Sequence, residues 1–367
     1  MNKIYINGRF LSQRVTGVQR FGREVLLALD ACLDEGRAHF EHLQFILLVP
    51  AGTAVPKLRA IMSESLGKCD GHAWEQIDLP RRVGRALLLN FGFTGPLFKR
   101  NQIITVHDGA VVRMPEGYSR QFRLWYRLVV GLIGRRARST VAVSEFSANE
   151  AVECFGLPRE RIAVSGEGWE HIREVRADDA ILRRAGLADQ GYFLVVSSPA
   201  KHKNFPIVGE ALQLLGTTAP RCIAVGAVDK RVFRDDDAKV GAIEHLGYVS
   251  DGELKSLYAH ALGFIMPSFY EGFGIPPLEA MACNAAVISS TANALQEVCG
   301  EAAIYFRPES ARELAAAVAS VREHPELRAS LAREAQARLA HYSWRSAARC
   351  YLRLVCEQFD LAPGVMP

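Results

Sequence analysis

Residues 271–279 read EGFGIPPLE, with a carboxylate at each end, Glu271 and Glu279. Between them stand two glycines, two prolines and no cation. Gly272 and Gly274 permit a tight turn with exposed backbone. Pro276 suits the first position of a helix, where its missing N–H costs nothing. A helix starting there points free N–H groups and a partial positive charge forward, which is chemistry for a phosphate. Carboxylates would repel that phosphate directly. Glu271 and Glu279 are therefore better matched to hydroxyl groups, as of sugars on both sides of a phosphate. A capped surface helix with incidental acids is the alternative. Upstream, SSPAKHKNFP places Lys201, His202 and Lys203 between an apolar run and a helical pattern. Cations there would neutralise a diphosphate, although a solvated basic turn reads the same way. His107 and Asp108 follow another apolar run. A histidine in that place binds a substrate hydroxyl, carries a proton, or is a structural group bonded to backbone.

Short apolar runs alternate with helical patterns and position these groups. KIYING (3–8), FILLVP (45–50), QIITVHD (102–108) and STVAVS (139–144) form one series of buried strands. YFLVVSS (192–198), CIAVGA (222–227), GFIMPS (263–268) and AAVISS (285–290) form a second. Strand and helix in alternation predict α/β architecture, a parallel sheet with helices on both faces, and two series predict two such domains. Ligands of open parallel sheets bind at the carboxyl ends of the strands, where all the residues named above fall. Charges accumulate over 171–192, the expected seam. The closing segment 341–359 is expected to be helical, with Trp344, Ala347, Tyr351, Leu352 and Val355 as an apolar stripe.

A chain of 367 residues suffices for two cores. The start MNKIYINGRF lacks the apolar region of a signal peptide, so a cytoplasmic protein is expected. No run is long and apolar enough for a membrane span. The eight cysteines form no C-x-x-C pair, which argues for buried free thiols and against structural zinc or disulfides. Net charge is +4, but residues 1–150 carry +8 and the remainder −4. A basic half of this kind suits an anionic surface or ligand. Its densest part is 119–138, with six arginines and no acid. Phe122, Trp125, Tyr126, Val129, Val130 and Ile133 give that segment one broad apolar face. It reads either as a helix on an anionic membrane surface or as a core-packed helix with a basic outer side.

Together these segments resemble the family-4 glycosyltransferases, retaining enzymes of GT-B fold that use nucleotide-sugar donors. The resemblance runs from NGRFLSQRVTGVQRFGRE through TVHDG, VAVSEFSANE, LGYVSDGELKSLYAHA, EGFGIPPLEAMACNAAVIS and QEVCGEAAIYFRPE to YSW. It implies two Rossmann-like doubly wound domains: 1–175 with 345–367 for the acceptor, and 176–344 for the donor. It also implies a C-terminal helix crossing back to the first domain. In that frame Glu271 holds sugar hydroxyls at the reacting centre. The backbone of Gly272, Phe273, Gly274 and Ile275 approaches sugar and diphosphate, Glu279 takes the ribose, and Lys203 meets the diphosphate with Ser198 nearby. Tyr248 and Val249 border the base. Thr16 and Gly17 form the cleft loop on the acceptor side, and His107, followed by Asp108, points at the reacting sugar. The family's Arg-Lys-Asn is His202-Lys203-Asn204 here, its glycine is replaced near Ser197, and SGEGWEHI around Glu167 departs from its usual PNG.

The donor implied is GDP-, UDP- or dTDP-linked, with GDP-mannose favoured, and the acceptor is a glycan or lipid-linked glycan of lipopolysaccharide or exopolysaccharide type. No cofactor and no metal are expected. The acidic run at 235–237 reads as a solvated loop, although metal-binding acids are the other reading. The competing functions are another GT-B enzyme, such as an epimerase or phosphorylase, and a non-catalytic sugar-nucleotide-binding protein. A dehydrogenase lacks support without an early G-x-G-x-x-G, and no nucleic-acid-binding module is present.

Overall fold

The computed structural model describes residues 1–117, 119–197, 200–226 and 243–361. Two compact units emerge, Met1–Gly168 with Ser343–Pro367, and Trp169–Tyr342. The first boundary thus falls earlier than 175/176, because the helix Glu170–Glu174 packs with the second unit through His171. The second falls at Ser343, which caps the last helix through a bond from Ser346 N.

The first unit holds seven parallel strands: β1 (Asn2–Asn7), β2 (Leu43–Pro50), β3 (Met62–Leu66), β4 (Leu87–Asn90), β5 (Gln102–Val106), β6 (Ser139–Ala142) and β7 (Ile162–Val164). Their spatial order is β3-β2-β1-β4-β5-β6-β7. The second unit holds β8 (Tyr192–Ser197), β9 (Arg221–Gly226), β10 (Ile243–Gly247), β11 (Gly263–Met266), β12 (Ala286–Ser290) and β13 (Ala303–Phe306). Their order is β10-β9-β8-β11-β12-β13, again parallel. Central strands such as β2, β4 and β11 are buried nearly throughout because helices cover both faces. In each sheet the order reverses once, between β1 and β4 and between β8 and β11. Such reversals open a crevice at the carboxyl ends of the two strands involved.

The last helix, Trp344–Gln358, belongs to the first unit and packs on the helix Gly17–Glu35. All five residues of its expected stripe are buried. Trp344 meets Phe21 edge-on at 6.0 Å, and Arg345 pairs with Glu35. Thr105 Oγ1 donates to the Asn90 carbonyl, so the Tyr351 hydroxyl 2.5 Å away donates to Thr105. Burial of Leu352 and Val355 contributes about 1.5–3 kcal/mol each.

The thiols are free, and seven of the eight cysteines are buried. Burial pushes Cys222, Cys283 and Cys299 up to about 12, which keeps them protonated and inert. Among the described residues no helix is long and apolar enough to cross a membrane. The acidic run 235–237 lies outside the described residues.

One buried cation opposes folding. Lys99 donates to the Gly84 carbonyl at 2.8 Å, and burial lowers its amine from 10.5 to about 8. Between those values the unfolded chain binds more protons than the folded one, so stability rises with pH across that window. Lys99→Met is expected to raise unfolding stability at pH 7 by about 2 kcal/mol. The gain should shrink above pH 8 and vanish near the ordinary lysine value. Urea melts at neutral and alkaline pH read this, and an equal gain at both would refute it.

Candidate active site

Glu271, Lys203 and the N-terminus of the helix Ile275–Ala282 meet in the second unit, at the reversal between β8 and β11. Lys203 ends a 3-10 turn after β8, Lys201–Lys203. Asn204 follows in the left-handed region, φ 52°, and its amide donates to the carbonyls of Pro267 and Pro308. Phe269 N donates to the His202 carbonyl at 2.7 Å. The β8 turn is thereby stapled to the β11 loop. Glu271 Oε1 accepts from Lys203 Nζ at 2.7 Å and from Ser268 Oγ at 2.6 Å. Burial, reinforced by Lys203, holds the His202 imidazole below its ordinary value, so it is neutral at pH 7. Ser198 lies outside the described residues.

Gly274 caps the helix at φ 108°, ψ 71°. A Cβ there would stand 2.7 Å from Leu295 Cδ2, so both backbone and space require glycine. The helix begins at Ile275, which puts Pro276 at its second rather than first position, still within the turn that needs no N–H partner. Phe273 is buried edge-on against Tyr342 at 5.3 Å, and Ile275 is buried beside the helix start. These anchors hold the Gly272–Gly274 backbone in place.

Glu279, one turn inside, is 6% exposed. Its Oε1 lies 2.7 Å from His171 Nε2, and its Oε2 accepts from the Tyr258 hydroxyl at 3.0 Å. Sequence reasoning missed both partners. Burial and the neighbouring carboxylate push the Tyr258 phenol well up, so it stays a donor. Each Glu279 oxygen keeps a further lone-pair site, because a carboxylate accepts about four bonds. Tyr248 projects into solvent at 67% exposure after Gly247 at φ 71°, while Val249 is buried.

In the first unit, His107 follows β5 but is 5% exposed. Its Nε2 donates to the Phe91 carbonyl at 3.0 Å, and Nδ1 lies 3.6 Å from Glu167 Oε1. Phe21 and Phe93 press on the ring at 4.8 and 5.2 Å. The imidazole is therefore oriented by protein on both nitrogens, and Glu167, also buried, is its partner. Asp108 accepts from Ala110 N and shapes the turn. Thr16 caps the Gly17–Glu35 helix through a capping box with Gln19, and a Cβ on Gly17 would meet open space.

At the β1–β4 reversal a cavity of about 240 Å³ opens. Arg9 and Thr94 line it with Glu75 and His72 of the helix Gly71–Val83. The segment 119–138 forms the helix Arg120–Arg136, whose Tyr126 walls the same cavity. Only part of its expected apolar face is buried: Tyr126, Val130 and Ile133. Phe122 and Trp125 are exposed, and so are Leu124, Leu128 and Leu132, a second stripe at four-residue spacing.

Residues 179–338, which include the Lys203–Glu271 cluster and the Gly274 turn, match the glycosyl transferases group 1 family. The chain is similar to O-antigen chain mannosyltransferase B of Escherichia coli, 28% identical over 73% of this chain and 75% of that protein. It is also similar to O-antigen chain mannosyltransferase RfbU of Salmonella typhimurium, 28% identical over 62% of each. The fold matches HepE of Anabaena, solved with UDP and glucose, with a TM-score of 0.71 at 17% identity over 97% of this chain and all of that one. These similarities bear out the family-4 glycosyltransferase resemblance, with the family match itself confined to residues 179–338. The chain's two doubly wound sheets are those of the GT-B fold. The arrangement in this glycosyltransferase can do two things chemically. Among the described residues, the β8–β11 reversal brings the Lys203 ammonium and a helix N-terminus together, which suits an anion, with a carboxylate beside them that suits hydroxyls.

Proposed function

We propose that this glycosyltransferase moves a mannosyl group from GDP-mannose to a hydroxyl of a glycan or lipid-linked acceptor, in synthesis of an O-antigen-type polysaccharide. The observation that carries this is the pairing of Lys203 and Ser268 with Glu271 directly before the Gly274 helix start. The mannosyl and O-antigen choices are supported by the names of the two curated relatives. A nucleotide diphosphate is supported by the UDP in the structural neighbour. Lys203 and the helix N-terminus stabilise the charge that develops on the diphosphate as the bond to sugar C1 breaks. Glu271 holds sugar hydroxyls, Glu279 the ribose, and Tyr248 covers the base. The acceptor attacks from the face that the leaving group departs, the leaving phosphate takes its proton, and the configuration is retained. This cation-and-dipole mechanism runs without metal or cofactor.

The test is a thermal-shift panel of GDP-, UDP-, dTDP- and ADP-sugars, followed by turnover in EDTA with the leading donor. GDP-mannose is expected to give the largest stabilisation, full turnover in chelator, and an α-linked product by NMR. A larger UDP- or dTDP-sugar response, loss of activity in EDTA or an inverted anomer would each overturn the corresponding part.

The enzyme works in the cytoplasm, docked on the inner face of the membrane through the helix Arg120–Arg136. Leu124 and Leu128 are 61% and 62% exposed on it, beside exposed Arg120, Arg127 and Arg136. Such a stripe with a basic rim suits anionic lipid. The protein should float with vesicles containing phosphatidylglycerol and not with phosphatidylcholine alone. Arg135 is tied to the Gly156 carbonyl, so the informative double variant is Arg127→Gln with Arg136→Gln. At about 1 kcal/mol per cation it should weaken vesicle binding roughly 30-fold. Unchanged flotation would sink the docking reading.

A further inference from the structure

A larger cavity, of about 520 Å³, opens at the other end of the first sheet. Gly84 and Arg85 precede β4, and the loop ending at Asn101 precedes β5, so these residues place it at the amino ends of the two strands. Its frame is stapled by side-chain amides. Gln76 Nε2 donates to the Gly95 carbonyl and Gln76 Oε1 accepts from Leu97 N, both at 2.9 Å. Gln102 Nε2 donates to the carbonyls of Pro96 and Lys99 at 2.9 and 2.6 Å. Asn101 Nδ2 donates to the Arg85 carbonyl at 3.0 Å, and its Oδ1 accepts from Gln358 Nε2 at 2.7 Å. The loop before β5 is thus bonded to the helix Gly71–Val83, to β5 itself, to the turn before β4 and to the last helix. The cavity is formed before anything enters it.

With the amides spent on the frame, the charged groups of the lining are three cations, Arg85, Lys99 and Arg100, and no acid. Among the described residues none of the three pairs with a carboxylate. Lys99 is 8% exposed. Its ammonium can donate three bonds, and its acceptor is the neutral Gly84 carbonyl. One carbonyl offsets little of the cost of burying a charge, so burial lowers the amine with no acid to oppose it. Local violations of this kind are expected at functional sites. The rest of the lining is largely apolar, with Pro80, Leu97 and Phe98, the last 84% exposed on its rim. A cationic wall beside an apolar one matches an anion with an apolar body. Three cations balance the nearly double charge of a phosphate monoester better than the single charge of a carboxylate.

We propose that this cavity binds a phosphate monoester with an apolar body, at a site separate from both strand-end crevices. Lys99 and Arg85 meet the phosphoryl head, Arg100 adds to the positive field, and Phe98, Leu97 and Pro80 cover the body. β5 leads from this loop to His107, and β4 leads from Arg85 to Phe91, whose carbonyl holds His107. The ligand therefore sits at the far ends of the two strands that carry the histidine. The proposal does not depend on the glycosyltransferase reading.

The test is isothermal titration of the full chain with phenyl phosphate at physiological salt, with inorganic phosphate and benzyl alcohol as head-only and body-only comparisons. Phenyl phosphate is expected to bind about tenfold or more tightly than either. Lys99→Met removes the charge and keeps the stem, and its expected gain in stability makes it a reading of binding rather than of misfolding. It should lower the affinity by about tenfold or more, whereas Lys203→Ala in the second unit leaves binding in place. Saturating phenyl phosphate should also narrow the difference in Tm between the unaltered chain and Lys99→Met at pH 7, because the ligand stabilises the first and not the second. Tighter binding of octyl than of phenyl phosphate would assign the body to a lipid chain, the reverse to a compact soluble ester, and either keeps the site. No binding, an affinity unchanged in Lys99→Met, equal affinity for inorganic phosphate or benzyl alcohol, or loss only in Lys203→Ala would each overturn the proposal.

Discussion

Replacing Glu271 by alanine is expected to lower kcat by a factor of about 10²–10³ without lowering nucleotide affinity. The expectation follows from how the carboxylate is held. Oε1 accepts from both Lys203 and Ser268. Oε2 accepts no hydrogen bond from the described residues, which in the proposed mechanism leaves it for a substrate hydroxyl. Truncation removes that acceptor and also frees Lys203 from its counter-charge. A freed ammonium binds a ground-state diphosphate at least as well as a paired one. Turnover and nucleotide binding should thus move apart: kcat collapses while the thermal shift with GDP persists or grows. Glu271→Gln separates the two contributions, because it keeps an acceptor oxygen but releases the charge on Lys203. Near-normal turnover in the alanine variant, or a loss of GDP binding as large as the loss of turnover, would refute the assignment.

That Lys203, Glu271 and the Gly274 turn lie together was legible in the sequence because their positioning strands are long apolar runs followed by short turns. YFLVVSS and GFIMPS announce β8 and β11, and the residues after them are the ones that meet. Partners that approach from elsewhere left no such trace. His171 falls in the charged seam, and Tyr258 sits in the last turn of the helix Asp251–Ala259 in an ordinary apolar pattern, yet both reach Glu279. Glu167 stood out only as a departure from a familiar motif, and its contact with His107 depends on long-range folding. In the first unit β4 is four residues long, too short for periodicity to separate from a loop. Without β4 the strand order could not be seen to reverse beside β1, and Arg9 and Glu75 had nothing to connect them. β3 was hidden for a different reason: its sequence MSESL is polar because it lies at the edge of the sheet. The arginine-rich helix shows a third limit. Its apolar residues occupy two faces, and periodicity alone does not say which face the sheet covers.

The same cluster makes a second large effect calculable, at Lys203. His202 is neutral at pH 7, and Lys201 lies at the exposed start of the turn. Lys203 is fixed at the strand end, with Asn204 anchoring the turn behind it and Glu271 paired in front. In Lys203→Ala, charge developing on the leaving diphosphate would lose this paired ammonium and lean on the helix N-terminus. A helix terminus contributes typically 0.3–1 kcal/mol to an exposed charge, less than a fixed ammonium in a partly closed site. Turnover should fall about 10²–10³-fold, and here, unlike with Glu271, the GDP thermal shift should shrink as well. Lys203→Arg is expected to recover only part of the loss, since the planar fork replaces a point charge that bridges to Glu271 Oε1 at 2.7 Å. Because the two side chains touch, their effects are coupled, and the double alanine variant should cost less than the product of the single losses. Strict additivity, or a Lys203→Ala enzyme that keeps both its turnover and its response to GDP, would show that the diphosphate is neutralised elsewhere.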